Sequence, residues 1–283
     1  MIKTVGIVGS GIMGSGITEV AAKAGFSVVL RSRRQETADA TVAALEKSLA
    51  KQVEKGRLDE ATRTEVLGRV TATERIADLS DCDLVIESIV EDLPTKKALF
   101  DELDRVVKDG AILATNTSTL PVIEMAVVTG RHHQVCGVHF FNPAPAMSLV
   151  EIVRPLTASD ETIAAVTAFV EQCGKTPVEV ADRAGFIVNA LLFPYLNNAI
   201  RMLENGTASR DAIDTAMKGG CGFPMGPFAL LDLVGLDTSL AILDALYDEF
   251  RDPNYAAVPL LRRMVTAGQL GRKSGKGFYD YTS

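Results

Sequence analysis

The sequence predicts an α/β fold, a doubly wound and mostly parallel sheet followed by a second, all-α domain. Three observations carry this. Strand-like and helix-like segments alternate along the first part of the chain, the pattern of a sheet covered by helices. The opening strand runs straight into a glycine-rich turn and a helix. Beyond Asp182 the texture changes, and residues 185–270 carry helical patterns with no convincing strand.

Residues 2–8 are apolar and β-branched, and residues 12–25 have helical periodicity that stops at Gly25. A second strand over 26–31 leads into a long amphipathic helix over 36–55 and a shorter one over 59–68, which Asp59 is placed to cap. Residues 82–88, 111–116, 134–141 and 148–154 read as further strands, with a helix opening after Pro94 between the first two. Helices are expected over 185–206, 209–220, 236–250 and 258–268. Pro194 should kink the first of these or delay its start. The chain therefore divides into a dinucleotide-binding domain, 1–183, and a helical domain, 184–283, for substrate and dimerisation.

Composition narrows the function. Hydrophobic residues make up 47% and charged residues 23%, as in soluble globular proteins. A net charge of −7 disfavours nucleic acid, and an anionic ligand would need local positive charge. No apolar run reaches the ~18 residues that cross a bilayer. The first residues lack the features of a secretory leader, so a cytoplasmic protein is expected. The four cysteines, Cys82, Cys136, Cys173 and Cys221, form no CxxC pair and read as buried free thiols. No metal site is expected.

The turn Gly9-Ser10-Gly11-Ile12-Met13-Gly14 is GxGxxG between a strand and a helix, with a second strand following. In that context it is a Rossmann-type dinucleotide fingerprint. Gly9 permits the tight turn, Gly11 lets a pyrophosphate approach the backbone, and Gly14 lets the helix pack closely. Ile12 and Met13 complete the predicted contacts, and the helix N-terminus faces the phosphates. In NAD-binding versions an acid ends the second strand about 20 residues on and holds the ribose 2′-hydroxyl. Here Ser32 lies 18 residues after Gly14, followed by Arg33 and Arg34, with no carboxylate before Glu36. A small hydroxyl beside guanidinium groups suits a 2′-phosphate. The predicted cofactor is NADP(H), contacted by Ser32, Arg33 and Arg34. NAD is the alternative, with Glu36 serving the ribose and the arginines solvated.

Of three histidines, His132 and His133 lie in a polar loop, while His139 ends an apolar strand before a proline-rich turn. The C-terminal edge of such a sheet faces the ligand crevice, so His139 is the candidate acid–base group for an alcohol–ketone redox step. Glu151 interrupts the apolar strand LVEIV, and a buried carboxylate needs a partner. That partner is expected to be His139 rather than Arg154.

The motifs GSGIMGSGI, ESIVEDLPTKKALF, NTSTLP, GVHFFNPAPAMSLVEIV, DRAGFIVNALLFPYLNNAI, GFPMGPFALLDLVGLD and GRKSGKGFYDY follow one another along the chain. In these it resembles the 3-hydroxyacyl-CoA dehydrogenase family, particularly its single-function 3-hydroxybutyryl-CoA members. The resemblance implies a catalytic His139 oriented by Glu151, with Ser118 and Asn189 as further catalytic and substrate contacts. It implies Asn116, Glu91, Lys96 and Lys273 as cofactor contacts and Ser48 and Lys55 as CoA contacts. Lys47, Lys51 and Lys55 do form a basic stripe at i, i+4 and i+8, as several phosphates on an acidic protein would require. The chain departs from the family pattern at Thr119, at Ala190 and, for NAD users, at Ser32.

The implied function is reversible hydride transfer between NADP(H) or NAD(H) and 3-hydroxybutyryl-CoA/acetoacetyl-CoA. The helical domain is expected to close over the acyl chain, and its apolar motif GFPMGPFALLDLVGLD to support a homodimer. No nucleic acid or membrane partner is expected. Two rivals are a 6-phosphogluconate-type dehydrogenase and a non-catalytic protein on the same scaffold. The first should carry a lysine in AGFIVNALLFPYLNNAI, which has none; the second should have lost one of Ser118, His139, Glu151 or Asn189, and none is lost.

Overall fold

The structure, a computed structural model, describes residues 1–282. It contains two compact units, Met1–Asp182 and Arg183–Ser283.

The first unit runs β1 (Thr4–Val8), α1 (Ile12–Lys23), β2 (Ser27–Arg31), α2 (Gln35–Glu54), α3 (Glu60–Gly68), β3 (Val70–Thr73), β4 (Leu84–Glu87), α4 (Leu93–Val106), β5 (Ile112–Thr115), α5 (Val122–Ala126), β6 (Val135–Phe140), β7 (Leu149–Arg154), α6 (Asp160–Gln172) and β8 (Thr176–Ala181). The strands form one sheet in the order β3-β2-β1-β4-β5-β6-β7-β8. Within this sheet, among the described residues, only β6 and β7 pair antiparallel. The chain winds outward from β1 to β3, then returns to β4 on the other side of β1. That reversal creates the crevice in which doubly wound sheets hold ligands, beyond the C-terminal strand ends.

The central strands are nearly continuous apolar runs because helices cover both faces. All residues of β4, β5 and β6 are buried. The core gathers Ile7, Leu30, Leu84, Ile86 and Val138 from the sheet, with Ile17 and Leu49 from the helices. Asp59 caps α3 by accepting from the Thr62 amide at 2.7 Å, as its position in the sequence predicts.

The two edge strands were not legible in the sequence. β3 is four residues long and lacks an apolar run. β8 is half exposed and carries Pro177, which cannot donate to a ladder and belongs at an edge. Helix α6, capped by Ser159 onto the Thr162 amide, is likewise absent from the sequence expectation.

The second unit comprises α7 (Val188–Glu204), α8 (Arg210–Cys221), α9 (Pro227–Val234), α10 (Leu236–Phe250) and α11 (Pro259–Thr266). Phe193, Leu196, Ile200, Phe228, Leu231, Leu243 and Leu261 form its core. Helix α7 does not wait for Pro194: it begins at Val188 and carries the buried proline inside it. Helix α9, with Pro227 in its first turn, was expected only as an apolar motif.

Two buried carboxylates fasten the C-terminal segment of this unit. Asp232 accepts from the Phe278 and Tyr279 amides at 2.9 and 2.8 Å. Asp214 accepts from the Phe228 amide and the Tyr279 hydroxyl at 2.8 and 2.9 Å.

The thiols are free, but one expectation is corrected. Cys82 and Cys136 are buried and Cys173 is partly so, whereas Cys221 is exposed at the end of α8, where Gly222 turns the chain left-handed. Burial pushes the first three thiols up to about 12, which leaves them inert as nucleophiles. No helix among the described residues is long and apolar enough to cross a membrane.

Candidate active site

The glycine-rich turn sits at the switch between β1 and β4. Gly9 has φ +121, and a Cβ there would lie 2.3 Å from the Ser88 carbonyl oxygen that follows β4. A Cβ at Gly14 would lie 1.9 Å from the Gly9 carbonyl oxygen, so α1 could not start this close to the turn with any larger residue. Gly11 differs. A Cβ there would meet no atom of the chain within 4 Å, so packing does not demand glycine. Close approach of a ligand to the start of α1 does, and the cap of α1 has no side-chain hydrogen bond of its own. The residues therefore fit a dinucleotide. Met13 is half-buried, and Ile12 is 77% exposed beside the turn, an apolar surface for a ligand to cover.

Ser32 follows β2 and is buried, with its Oγ 2.9 Å from Ser10 Oγ inside the glycine-rich turn. A neutral hydroxyl thus follows β2 beside the glycine-rich turn. Arg33 and Arg34 are exposed, and no ion pair of either occurs among the described residues. Arg31 is occupied elsewhere, donating to the Glu74 carbonyl. Glu36 is exposed in the first turn of α2.

Beyond β4 and β5 lies a polar network. The Lys96 ammonium is 1% exposed and meets Glu87 Oε1 at 2.6 Å and Glu91 Oε2 at 3.3 Å. Glu91 Oε1 accepts from the Thr117 hydroxyl and from the Ser118 amide at 2.9 Å. Asn116 Oδ1 accepts from the Phe140 amide at 2.8 Å, which ties the turn after β5 to the end of β6. Glu91, Lys96, Asn116 and Ser118 are thereby brought together at the strand ends. Glu87, Thr115 and Thr117 were missed. Glu87 had a signal, since it ends the apolar run LVI just as Glu151 interrupts LVEIV.

His139 and Glu151 are direct partners in the register of antiparallel β6 and β7. Nδ1 lies 2.7 Å from Glu151 Oε2, and the two residues are 4% and 0% exposed. A carboxylate that is ionised only accepts, so with Glu151 in that form Nδ1 would carry the ring proton and Nε2 would be the nitrogen able to act as base. Arg154, the competing partner, pairs instead with Glu179 and Asp160. The Phe141 ring lies 4.5 Å from the imidazole, centroid to centroid. His132 and His133 are exposed in a short 3-10 turn.

Asn189 is buried in the first turn of α7 in the second unit. Lys273, in the same unit, pairs with Asp237 at 2.6 Å. On α2, Ser48 Oγ donates to Glu19 at 3.4 Å, while Lys47, Lys51 and Lys55 are exposed. Glu46, on the same helix, is paired with Arg63.

An open sheet with a glycine-rich turn at its switch point, and a buried His–Glu pair at its strand ends, defines a nicotinamide-dinucleotide enzyme of the dehydrogenase class. Residues 4–183 match the family model "3-hydroxyacyl-CoA dehydrogenase, NAD binding domain", and residues 185–281 match its "C-terminal domain". The chain belongs to the 3-hydroxyacyl-CoA dehydrogenase family. It is 49% identical to a probable 3-hydroxybutyryl-CoA dehydrogenase of Deinococcus radiodurans, over 98% of this chain and 99% of that one. It is 48% identical to a 3-hydroxybutyryl-CoA dehydrogenase of Clostridioides difficile, over 97% and 98%. Among solved structures, (S)-3-hydroxybutyryl-CoA dehydrogenase PaaH1 from Ralstonia eutropha superposes with a TM-score of 0.98 at 43% identity, covering 100% of both chains.

Proposed function

We propose that this chain is a 3-hydroxybutyryl-CoA dehydrogenase, interconverting a short-chain 3-hydroxyacyl-CoA and its 3-keto form, acetoacetyl-CoA in the simplest case, with NADP(H) preferred over NAD(H). The observation that carries the chemistry is the buried His139–Glu151 pair at the strand ends. Relatives near half identity with this name support the substrate class.

The nicotinamide, when bound, supplies or accepts the hydride at substrate C3. In oxidation, His139 Nε2 takes the proton of the 3-hydroxyl, and the imidazolium so formed is stabilised by Glu151 through Nδ1–H. In reduction the same nitrogen returns a proton to the developing alkoxide. Ser118 holds the 3-oxygen, and Asn189 offers its amide to the thioester carbonyl. General acid–base help of this kind is worth about 100–10,000-fold, and positioning supplies more.

The turn 9–14 holds the pyrophosphate, with Glu91, Lys96, Asn116 and Lys273 serving the nicotinamide half. Ser32, Arg33 and Arg34 receive the 2′-phosphate, a reading supported by the neutral hydroxyl beside the turn and the two exposed guanidinium groups. Ser48 and Lys55 serve the CoA phosphates. The first unit is the dinucleotide-binding domain, the second serves substrate and self-association as a homodimer, and the protein works in the cytoplasm.

The test is kcat/KM for acetoacetyl-CoA reduction with NADPH and with NADH on one preparation. A preference for NADPH of about tenfold or more supports the whole reading. A preference for NADH leaves the dehydrogenase standing and makes the arginines surface charge. No turnover with either overturns it.

A further inference from the structure

Glu87 ends β4 with its side chain sealed, and it is 0% exposed. Burying a carboxylate is costly unless every oxygen is satisfied, and here both are. Oε1 accepts from Lys96 Nζ at 2.6 Å and from the Ile89 amide at 2.6 Å. Oε2 accepts from the Thr115 hydroxyl at 2.7 Å. Two routes lead outward to one turn. Thr115 Oγ1 accepts from the Thr117 amide at 3.1 Å. Lys96 reaches Glu91, whose Oε1 takes the Ser118 amide and the Thr117 hydroxyl.

The three charges are graded in exposure. The Glu87 side chain is 0% exposed, Lys96 1% and Glu91 40%. Glu87 is therefore the sealed end of the chain, Lys96 links it to Glu91, and Glu91 is the exposed end. A core carboxylate serving packing alone would not need to be coupled twice, by separate donors, to the segment 115–118.

We infer that Glu87 is a positioning residue for the dehydrogenase reaction: through Thr115, and through Lys96 and Glu91, it sets the turn that presents Ser118. This rests on the reading of Ser118 as the group that holds the substrate oxygen. Glu87 touches neither substrate nor cofactor in this scheme. A displaced turn would misplace Ser118 in the transition state, so kcat and kcat/KM should fall together.

The test compares Glu87→Gln, Ser118→Ala and the double variant. Gln keeps the shape of Glu87 and can still accept from Lys96 and Ile89. Glu87→Gln should lower kcat about tenfold or more, with the KM for acetoacetyl-CoA changed less. In the Ser118→Ala background the same change should cost less than about twofold, because the residue acts through Ser118. Hydrogen exchange adds a readout independent of turnover: the peptide covering 116–120 should exchange faster in Glu87→Gln while β4 and β5 stay protected. If Glu87→Gln does not fold, Thr115→Val cuts one of the two routes and is held to the same three criteria. Wild-type kcat and exchange in the folded variant would overturn the inference, as would an effect fully additive with Ser118→Ala. A wild-type Ser118→Ala would overturn the reading of Ser118 and this inference with it. Failure of the dehydrogenase reading itself shows separately, as absence of turnover in the parent protein.

Discussion

The imidazole of His139 and the carboxylate of Glu151 face each other across β6 and β7 at 2.7 Å, as partners in the one antiparallel pairing of the sheet. They stand twelve positions apart in sequence, and the reversal between the two strands folds that distance away. Replacing Glu151 by Gln keeps the shape but removes the acceptor charge and the control of the tautomer. kcat should fall about 100-fold or more, and His139→Ala should fall at least as far, each measured on protein whose circular dichroism shows the parental fold. A Glu151→Gln enzyme with parental kcat would remove this pair from the mechanism.

The proposed 2′-phosphate site at the end of β2 is tested by exchanging its charge. Ser32→Asp combined with Arg33→Ala places a carboxylate beside the ribose and deletes one guanidinium. The ratio of kcat/KM values for NADPH and NADH should shift toward NADH by on the order of 100-fold. An unchanged ratio would return Arg33 and Arg34 to solvent.

The stripe on α2 is testable by charge reversal. Lys51 and Lys55 are exposed, and no ion pair of either occurs among the described residues. Lys51→Glu and Lys55→Glu should each raise the KM for acetoacetyl-CoA by up to about fivefold at low salt, with kcat steady. The difference should shrink as ionic strength rises. A KM indifferent to both changes argues for a merely solvated helix face.

Acid stability should depend on Asp83, which ties β4 to the start of β1. Burial alone would raise its carboxyl from the ordinary 3.8, but the hydrogen bond from Lys108 and those from the Thr4 and Lys3 amides outweigh it and hold the group at about 2. A lowered folded value means stability that is complete above the unfolded value and is lost as pH falls through the folded one. Denaturant midpoints measured between about pH 5 and pH 2 should therefore drop less steeply for Asp83→Asn than for the parent. Parallel slopes would contradict this.

Two glycines should respond in opposite directions. At Gly277 a Cβ would lie 2.0 Å from Asp232 Oδ1, the carboxylate that fastens the C-terminal segment. Gly277→Ala should destabilise by about 1–3 kcal/mol. Gly219 lies within α8 with nothing near its missing Cβ, so Gly219→Ala should stabilise by about 0.5–1 kcal/mol through helix propensity. Chemical denaturation of both variants distinguishes the two effects.

The amino-acid sequence by itself determined whatever is carried by local pattern. Apolar runs marked the central strands, because both of their faces are buried. Gly9, Gly11 and Gly14 marked the ligand turn, because backbone conformation and close approach there require glycine. A glutamate inside LVEIV stood out because a charge there violates its surroundings. Only the tertiary structure decided which of these meet. Cross-strand register placed Glu151 against His139 and sent Arg154 to Glu179 and Asp160. The turn from β4 into α4 brought Lys96 to Glu87, and this closed a buried ion pair that neither segment reveals alone. The edge strands β3 and β8 likewise exist by pairing rather than by composition, since half-exposed residues carry little periodic signal and a ladder is completed by its neighbour.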